Sequence, residues 1–273
     1  MPGADWQTLL FVPVGAERHL ASAIRNRPDA IILDLEDAVP PDAKAAARAR
    51  LAGDQRAVRA AGIACLIRVN APLGLMVEDI AASDPRSVSG VMVPKVEDTR
   101  TLCNVAELMG GNVPLIALIE TPRALPSLDQ IAAVPGVAGL MLGSEDYSAA
   151  LGIEPWGGGL DHPFAAIAAA AAVRGQLAIG FPGSIAEFRN LDAYRRGLER
   201  GLGLGMNAVA AIHPVQLPVI SEVLTPSAAQ IDWAHRVLAA LDKGAGVGVV
   251  QGAMVDAPVA ARAARILARA APR

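Results

Sequence analysis

The chain has 273 residues, which is enough for one large domain or two small ones. Hydrophobic residues make up 53% of it and aromatic residues only 3%, so we expect a large core built from aliphatic side chains. A net charge of −3 without long basic runs argues against a nucleic-acid partner, and no apolar stretch approaches the roughly 18 residues of a membrane span.

The first half of the chain alternates apolar runs with amphipathic stretches. Continuous Leu, Ile and Val is typical of parallel strands that are buried on both faces. Such strands are predicted at 8–14, 30–37, 65–70 and 90–98. The intervening helices are predicted at 17–27, 41–59, 77–82 and 99–109.

The same alternation continues to about residue 216. Strands at 114–121 and 137–146 flank a helical run broken by proline, and further strands are predicted at 177–185 and 208–216. Helices are predicted at 163–174 and 192–200. Eight strand–helix units indicate an α/β fold of the (β/α)8 TIM-barrel type. An open doubly wound sheet is the alternative, but no G-x-G-x-x-G follows the first strand.

The last fifty residues exceed what a closed barrel needs. They contain an amphipathic helix at 227–241, a glycine-rich stretch with short strands, and a last helix that Asp256 would cap. We therefore predict a barrel over 1–224 and a C-terminal helical extension over 225–273. Such an extension often packs on a neighbouring subunit, so we expect an oligomer.

The cysteines and the N-terminus bear on the compartment. Cys65 and Cys103 have no metal-ligand spacing, which indicates free thiols in a reducing environment. The N-terminus has no basic region followed by a long apolar run, as a signal peptide would have. These features predict a soluble, cytoplasmic protein.

Charged side chains gather where the predicted strands end. In a βα-barrel this edge is where active sites are built, so the clustering indicates an enzyme. Carboxylates from two neighbouring strand ends, Glu120 and Asp146, suit a Mg²⁺ ion; a solvated loop acid and a helix cap are the alternatives. The set comprises Glu36, Asp37, Arg68, Lys95, Glu120, Glu145, Asp146 and His213.

Several motifs in register carry a family resemblance. In chain order they read LLFVPVG, ILDLEDAV with PDAKAAAR, IRVNAPLG, VMVPKVED, ALIET, LGSEDYSAALG, IHPVQ and QGAMVDAPVAARAARIL. Together they resemble the citrate lyase beta-subunit-like family of the HpcH/HpaI aldolase superfamily, which includes malyl-CoA and citramalyl-CoA lyases. The resemblance implies a trimeric or hexameric (β/α)8 barrel that cleaves or forms 3-hydroxyacyl thioesters with Mg²⁺.

The resemblance also implies roles for individual residues. Glu120 and Asp146 look like the metal ligands, with Glu120 also near the substrate. Arg68 resembles the catalytic residue that binds the reacting carbonyl oxygen, and a salt bridge to Glu36 at the rim is its alternative.

The remaining roles are supporting or come from another subunit. Glu36 and Asp37 look like catalytic acids that orient metal-bound water, unless they only cap a helix. Asp256 resembles a general acid/base delivered by the adjacent subunit, and a simple N-cap is its alternative. Lys44 and Arg48 are candidates for contacts with CoA phosphates, although a solvated helix face explains them equally well.

Departures from the family pattern leave the substrate open. Basic residues that the family carries near IHP and in the tail are replaced here by Val209 and Ala257, which weakens the assignment of CoA. An aldolase that acts on a free 2-oxo acid is a second hypothesis. A non-catalytic subunit or regulator that retains the fold is a third. The acyl group, the physiological direction and the choice between trimer and hexamer stay open.

Overall fold

A parallel eight-stranded sheet forms the centre of the fold. The computed structural model describes residues 6–242 and 246–270. The strands lie in the order β7-β6-β5-β4-β3-β2-β1-β8, and a parallel bridge from Ile179 to Ala208 brings the two edges together, so the sheet is nearly closed into a barrel. The TIM-barrel prediction is confirmed. The strands are β1 (Thr8–Pro13), β2 (Ala30–Asp34), β3 (Ala64–Arg68), β4 (Gly90–Val93), β5 (Leu115–Ile119), β6 (Val137–Leu142), β7 (Leu177–Ile179) and β8 (Val209–Ala211).

Helices follow the strands and surround the sheet. Short 3₁₀ segments precede several of them, at Pro41–Ala43, Pro85–Ser87, Pro122–Ser127 and Pro214–Gln216. Proline suits these positions because the first turn of a helix does not need its N–H groups. The helices are α1 (Glu17–Asn26), α2 (Lys44–Ala60), α3 (Leu73–Ala82), α4 (Thr99–Leu108), α5 (Leu128–Ala133), α6 (Ser144–Leu151), α7 (Asp161–Ala172), α8 (Leu191–Gly203) and α9 (Leu217–Leu224).

Side chains from alternate strand positions fill the interior of the barrel. Successive side chains of a strand point to opposite faces, so every second residue shares the inner face. The buried inner cluster is aliphatic, as the composition predicted. It consists of Leu9, Ala30, Ile32, Leu66, Met92, Ile116, Leu118, Met141, Ile179, Ala208 and Ala210.

Several elements differ from the predicted ones, and β2, β4 and β6 end at Asp34, Val93 and Leu142, before the charged residues that the prediction included. The seventh strand ends at Ile179 because Gly180 has a φ of +124° and Pro182 follows, so the extended ladder cannot continue. The eighth ends at Ala211, shortly before Pro214 begins a 3₁₀ turn. Helix α9, which contains Pro218 in its first turn, was not predicted at all.

The C-terminal residues form a second compact unit. The first unit ends at Ile220 and the second begins at Ser221, so α9 crosses the boundary in sequence. The second unit contains α10 (Ala228–Asp242), the antiparallel pair β9 (Gly248–Val250) and β10 (Ala253–Val255), and α11 (Ala257–Ala270). That this unit packs on a neighbouring subunit stays a prediction.

A tight turn and a helix cap order the end of the second unit. The two residues of the hairpin turn, Gln251 and Gly252, both have positive φ, which matches the twist of the flanking strands. Oδ1 of Asp256 then accepts a weak hydrogen bond from the N–H of Val259, at 3.4 Å, at the start of α11. None of the helices in the described ranges is long and apolar enough to cross a membrane.

Candidate active site

The inner face of the barrel opens into a cavity at the carboxyl ends of the strands. The cavity has a volume of about 430 Å³. Seven of its lining residues continue the two-residue period of the inner core by one more step along their strands. Those that continue the period are Pro13, Asp34, Arg68, Glu120, Gly143, Phe181 and Ile212.

Arg68 is held rigidly in this cavity. Asp34 and Arg68 are opposite residues of the paired strands β2 and β3. The carboxylate of Asp34 accepts two hydrogen bonds from the guanidinium, from Nε at 2.8 Å and from Nη2 at 2.7 Å. Burial opposes the charge of Arg68, but the hydrogen bonds and the charge of Asp34 outweigh it and raise its pKa. Such a bidentate pair fixes the plane of the guanidinium as well as its charge.

Asp34 was not among the predicted site residues. The prediction placed the end of this strand at Glu36 and Asp37, whereas β2 ends at Asp34. The alternation of residues along ILDLED could have identified Asp34 as a site residue. Asp34 lies two residues after Ile32 and four after Ala30, so its side chain shares their inward face.

Glu36 and Asp37 both contact Nη1, the guanidinium nitrogen of Arg68 that does not bind Asp34. Nη1 of Arg68 lies 2.9 Å from Oε2 of Glu36 and 3.2 Å from Oδ2 of Asp37. Burial raises the pKa of Glu36, and the charge of Arg68 offsets only part of this effect. Burial also opposes ionisation of Asp37, but its hydrogen bond with Glu36 and the charge of Arg68 lower its pKa.

Lys95 connects two acids that belong to different strands. Its backbone N–H donates to Oε2 of Glu120 at 2.8 Å, and its Nζ lies 3.1 Å from Oε1 of Glu36. Its backbone also has a φ of +54°, which is uncommon for a residue other than glycine. A lysine in this strained conformation at a strand end fits a functional constraint.

Glu120 is almost fully buried at the end of β5. Burial raises its pKa from 4.5 to about 7, and the negative charges of Glu36 and Asp146 act in the same direction, against the Lys95 N–H. Gly143 leaves the room that this side chain occupies, because a Cβ at that position would lie 2.7 Å from Cγ of Glu120. The sequence therefore provides space for a carboxylate in an unfavourable environment.

Asp146 lies in the first turn of α6 and not in the preceding strand. It lines the same cavity as Glu120 and Arg68, together with its neighbour Glu145. The tightest acidic group is a different set: ligand atoms of Glu36, Asp37 and Glu120 all lie within 4.8 Å of one another. The structure thus brings five of the predicted site residues, Glu36, Asp37, Arg68, Glu120 and Asp146, to one end of the barrel.

A sequence model of a known family matches residues 7–214, which span the strands and the site just described. The family is described as HpcH/HpaI aldolase/citrate lyase. The chain belongs to this family. The resemblance stated from the motifs is therefore confirmed.

Individual members of the HpcH/HpaI aldolase/citrate lyase family match over nearly the whole chain. The citrate lyase subunit beta-like protein of Deinococcus radiodurans is 32% identical, over 99% of each chain. A (3S)-malyl-CoA thioesterase of Cereibacter sphaeroides is 32% identical over 92% of this chain and 90% of its own. Two different names thus accompany similar degrees of identity.

Solved structures of the family share the fold. CitE of Mycobacterium tuberculosis, crystallised with magnesium, acetoacetate and coenzyme A, matches with a TM-score of 0.79 and 30% identity over 98% of each chain. The citrate lyase beta subunit of the same organism with oxaloacetate and magnesium matches with a TM-score of 0.68 and 26% identity, over 82% of this chain and 98% of its own.

The residues predicted to bind CoA, Lys44 and Arg48, are not among those that line the cavity. Nζ of Lys44 donates to the backbone carbonyls of Leu35 and Glu36 at 2.8 and 2.9 Å. Nε of Arg48 donates to Asp79 at 2.7 Å. Asp256 belongs to the second unit. Lys44 and Arg48 therefore serve contacts within the protein, and their binding of CoA stays a prediction.

Proposed function

We propose that the protein is a Mg²⁺-dependent carbon–carbon lyase that cleaves or forms a 3-hydroxyacyl thioester of the malyl-CoA, citramalyl-CoA or citryl type. The observation that carries the proposal is the single cavity that contains Arg68, Glu120 and Asp146 at the carboxyl end of the barrel. A family neighbour crystallised with magnesium, acetoacetate and coenzyme A supports the same chemistry. We expect a cytoplasmic homotrimer or hexamer.

The donor set fits a divalent cation. Ligand atoms of Glu36, Asp37 and Glu120 lie within 4.8 Å of one another, and the side chains of Arg68 and Lys95 balance only part of this negative charge. Within the described residues, the buried Oε2 of Glu36 has an ion pair with Arg68 at 2.9 Å but no hydrogen bond. Glu120 and Asp146 would hold the ion, with Glu36 and Asp37 orienting its water, and bound Mg²⁺ would stabilise a developing negative oxygen.

The residues of the chain would then perform a retro-Claisen cleavage. The substrate hydroxyl gives its proton to one of the carboxylates of the cavity. The hydroxyl oxygen becomes the carbonyl oxygen of a 2-oxo acid, and Arg68 donates a hydrogen bond to this oxygen. The electrons of the broken C–C bond pass to the thioester fragment as an enolate. Asp256 of a neighbouring copy protonates the enolate carbon, and in condensation it removes that proton.

A variant of Asp256 separates its chemical role from its role as a helix cap. Asn caps a helix about as well as Asp but cannot transfer the proton. We expect Asp256→Asn to keep the folded structure and the thermal shift caused by Mg²⁺, and to lose about 100-fold or more in turnover. Wild-type turnover in Asp256→Asn would remove this residue from the mechanism.

The substrate class can be tested by thermal shift with Mg²⁺ and candidate ligands. A shift with acetyl-CoA supports the thioester lyase, because a ligand that binds the native state raises its stability. A shift only with pyruvate, glyoxylate or oxaloacetate supports an aldolase that acts on a free 2-oxo acid. No shift with any ligand would favour a non-catalytic subunit.

The aldolase alternative has a specific observation in its favour. Lys44 and Arg48, the basic residues proposed to bind CoA phosphates, both form hydrogen bonds with groups of the protein.

Product analysis with a 3-hydroxyacyl-CoA distinguishes the proposed lyase from a thioesterase, the activity named for the Cereibacter relative. A lyase releases a 2-oxo acid and a shorter acyl-CoA, whereas a thioesterase releases free CoA and the intact hydroxy acid.

A further inference from the structure

The cavity has a charged side and an apolar side. Strands β2, β3 and β5 and the start of α6 carry its acids and Arg68, with the apolar Leu118, Met141 and Leu142 below them. The other side comes from β1, β8 and the segment that follows β7, which are neighbours in the barrel. Its side chains are Phe11, Phe181, Ile185, Ala210 and Ile212. We call these five residues the apolar wall.

The apolar wall is buried at Phe181 and partly exposed to solvent at Ile212. Phe181 is buried and packs edge-on against Tyr194, with ring centroids 4.9 Å apart. Ile212 is 41% exposed, and its backbone N–H donates a hydrogen bond to Oε1 of Gln216 at 3.0 Å. A ligand group that meets this wall therefore contacts a surface with a fixed base and an accessible edge.

The charges in the cavity disfavour a second carboxylate on this side. Among the described residues that line the cavity, Arg68 is the only cation. Its guanidinium lies 5.1 Å from the ring centroid of Phe11, but its charge is already balanced by ion pairs with Asp34, Glu36 and Asp37. A carboxylate against the buried part of the apolar wall, at Phe181 and Ala210, would lose its hydration and would have to compete with three acids for Arg68. An alkyl group at the same place would gain from leaving water.

From this asymmetry we propose that the 2-oxo acid which the enzyme releases or condenses carries a short alkyl group, and not a second carboxylate, where it meets the apolar wall. The inference rests on the proposed function, because it assigns a substrate class to that same site. It favours 2-oxobutyrate-like acids over oxaloacetate-like ones.

Two ligands of nearly the same shape test the inference. At the end that would meet the apolar wall, 2-oxobutyrate carries a methyl group and oxaloacetate carries a carboxylate. Isothermal titration of the full-length protein with each, in saturating Mg²⁺, should give a Kd at least about tenfold lower for 2-oxobutyrate, because the carboxylate would be left buried and unpaired.

A charged substitution in the wall should change this preference. Ile212→Arg adds a cation at a half-exposed position, so we expect it to improve the Kd for oxaloacetate and weaken that for 2-oxobutyrate, changing the ratio about tenfold. Val215→Arg is the matched control, since Val215 is 38% exposed and does not line the cavity. It should leave the ratio unchanged.

The outcomes separate the two proposals. Oxaloacetate binding as tightly as 2-oxobutyrate to the wild-type protein overturns the substrate class and leaves the lyase proposal intact. Failure of both acids to bind in the presence of Mg²⁺ overturns both proposals. An equal change of the ratio in Val215→Arg shows that the apolar wall does not set the preference, and it too overturns the inference. If Ile212→Arg does not fold, the wild-type comparison still decides.

Discussion

At the scale of single residues, Gly143 determines how much space Glu120 has. A Cβ at position 143 would lie 2.7 Å from Cγ of Glu120, and the buried carboxylate has little freedom to move away. We expect Gly143→Ala to displace the Glu120 side chain and weaken Mg²⁺ binding about 10- to 100-fold, as measured by isothermal titration.

A second glycine supplies the control for this prediction. Gly53 lies in the helix α2, and a Cβ there would meet no atom within 4 Å. Gly53→Ala should leave Mg²⁺ binding unchanged and raise the free energy of unfolding by about 0.5–1 kcal/mol. Wild-type Mg²⁺ affinity in Gly143→Ala would show that the fit at position 143 is not needed for the metal site.

The ionisation of Glu120 predicts a pH dependence of metal binding. Burial holds its pKa at about 7 in the metal-free protein, so below that pH the carboxyl carries a proton that Mg²⁺ would have to displace if Glu120 is a ligand, as proposed. The apparent Kd for Mg²⁺ should therefore rise as the pH falls below about 7, approaching tenfold per unit for one displaced proton, and level off above it. An affinity that is constant between about pH 5 and pH 8 would contradict this.

At the scale of elements, a buried aspartate connects two helices to the strand end that carries Arg68. Asp79 in α3 is fully buried and accepts hydrogen bonds from the N–H of Asn70 at 2.8 Å, from Nδ2 of Asn70 at 2.7 Å and from Nε of Arg48 at 2.7 Å. Three donors thus converge on one carboxylate. This arrangement fixes the loop that follows β3, two residues after Arg68.

Removing the charge of Asp79 should be costly. In Asp79→Asn an NH₂ group would face one of these donors, and the half-buried Arg48 would lose a charged partner, so we expect a loss of about 3–5 kcal/mol in the free energy of unfolding. Urea denaturation measures it. Glu78→Gln removes the exposed partner of the same Arg48 and should cost less than about 1 kcal/mol. Similar losses in both variants would argue against a special role for Asp79.

Strand parity explains what the sequence could and could not reveal about the site. The apolar runs located all eight strands, and the acids after them located the functional edge, because both follow from local pattern. Asp34 was missed because it lies inside an otherwise apolar run, where only its alternation with Ala30 and Ile32 marks it as an inner residue. The contact of Lys95 with Glu120 could not be foreseen, since it joins the backbone N–H of one loop to a side chain from a neighbouring strand end.

At the scale of the whole molecule, the two thiols report on the cooperativity of the fold. Cys65 is buried in β3, and burial raises its pKa to about 12, whereas Cys103 is exposed. At pH 8 a thiol reagent should modify one cysteine of the native protein and two of the unfolded protein. In Cys103→Ser the native protein should not react. Rapid reaction of both thiols in the native wild type would indicate that the barrel opens locally at β3.

The larger-scale features were predictable only in part. The repeated strand–helix alternation was sufficient for the barrel, because each unit is encoded locally. The role of Asp256 is different, since local pattern predicts its capping hydrogen bond but not which copy of the chain its carboxylate would serve. That question depends on surfaces between copies, and a single sequence records them only indirectly.

The barrel is joined least extensively between β7 and β8, strands of three residues connected by one isolated bridge. Both strands supply or precede the apolar wall, while the acids lie on longer strands across the cavity. Variation at this seam can widen or narrow the hydrophobic side without moving the carboxylates. If the apolar wall sets the substrate preference, substitutions in this half of the ring would change which acid is bound while Arg68 and the carboxylates stay in place.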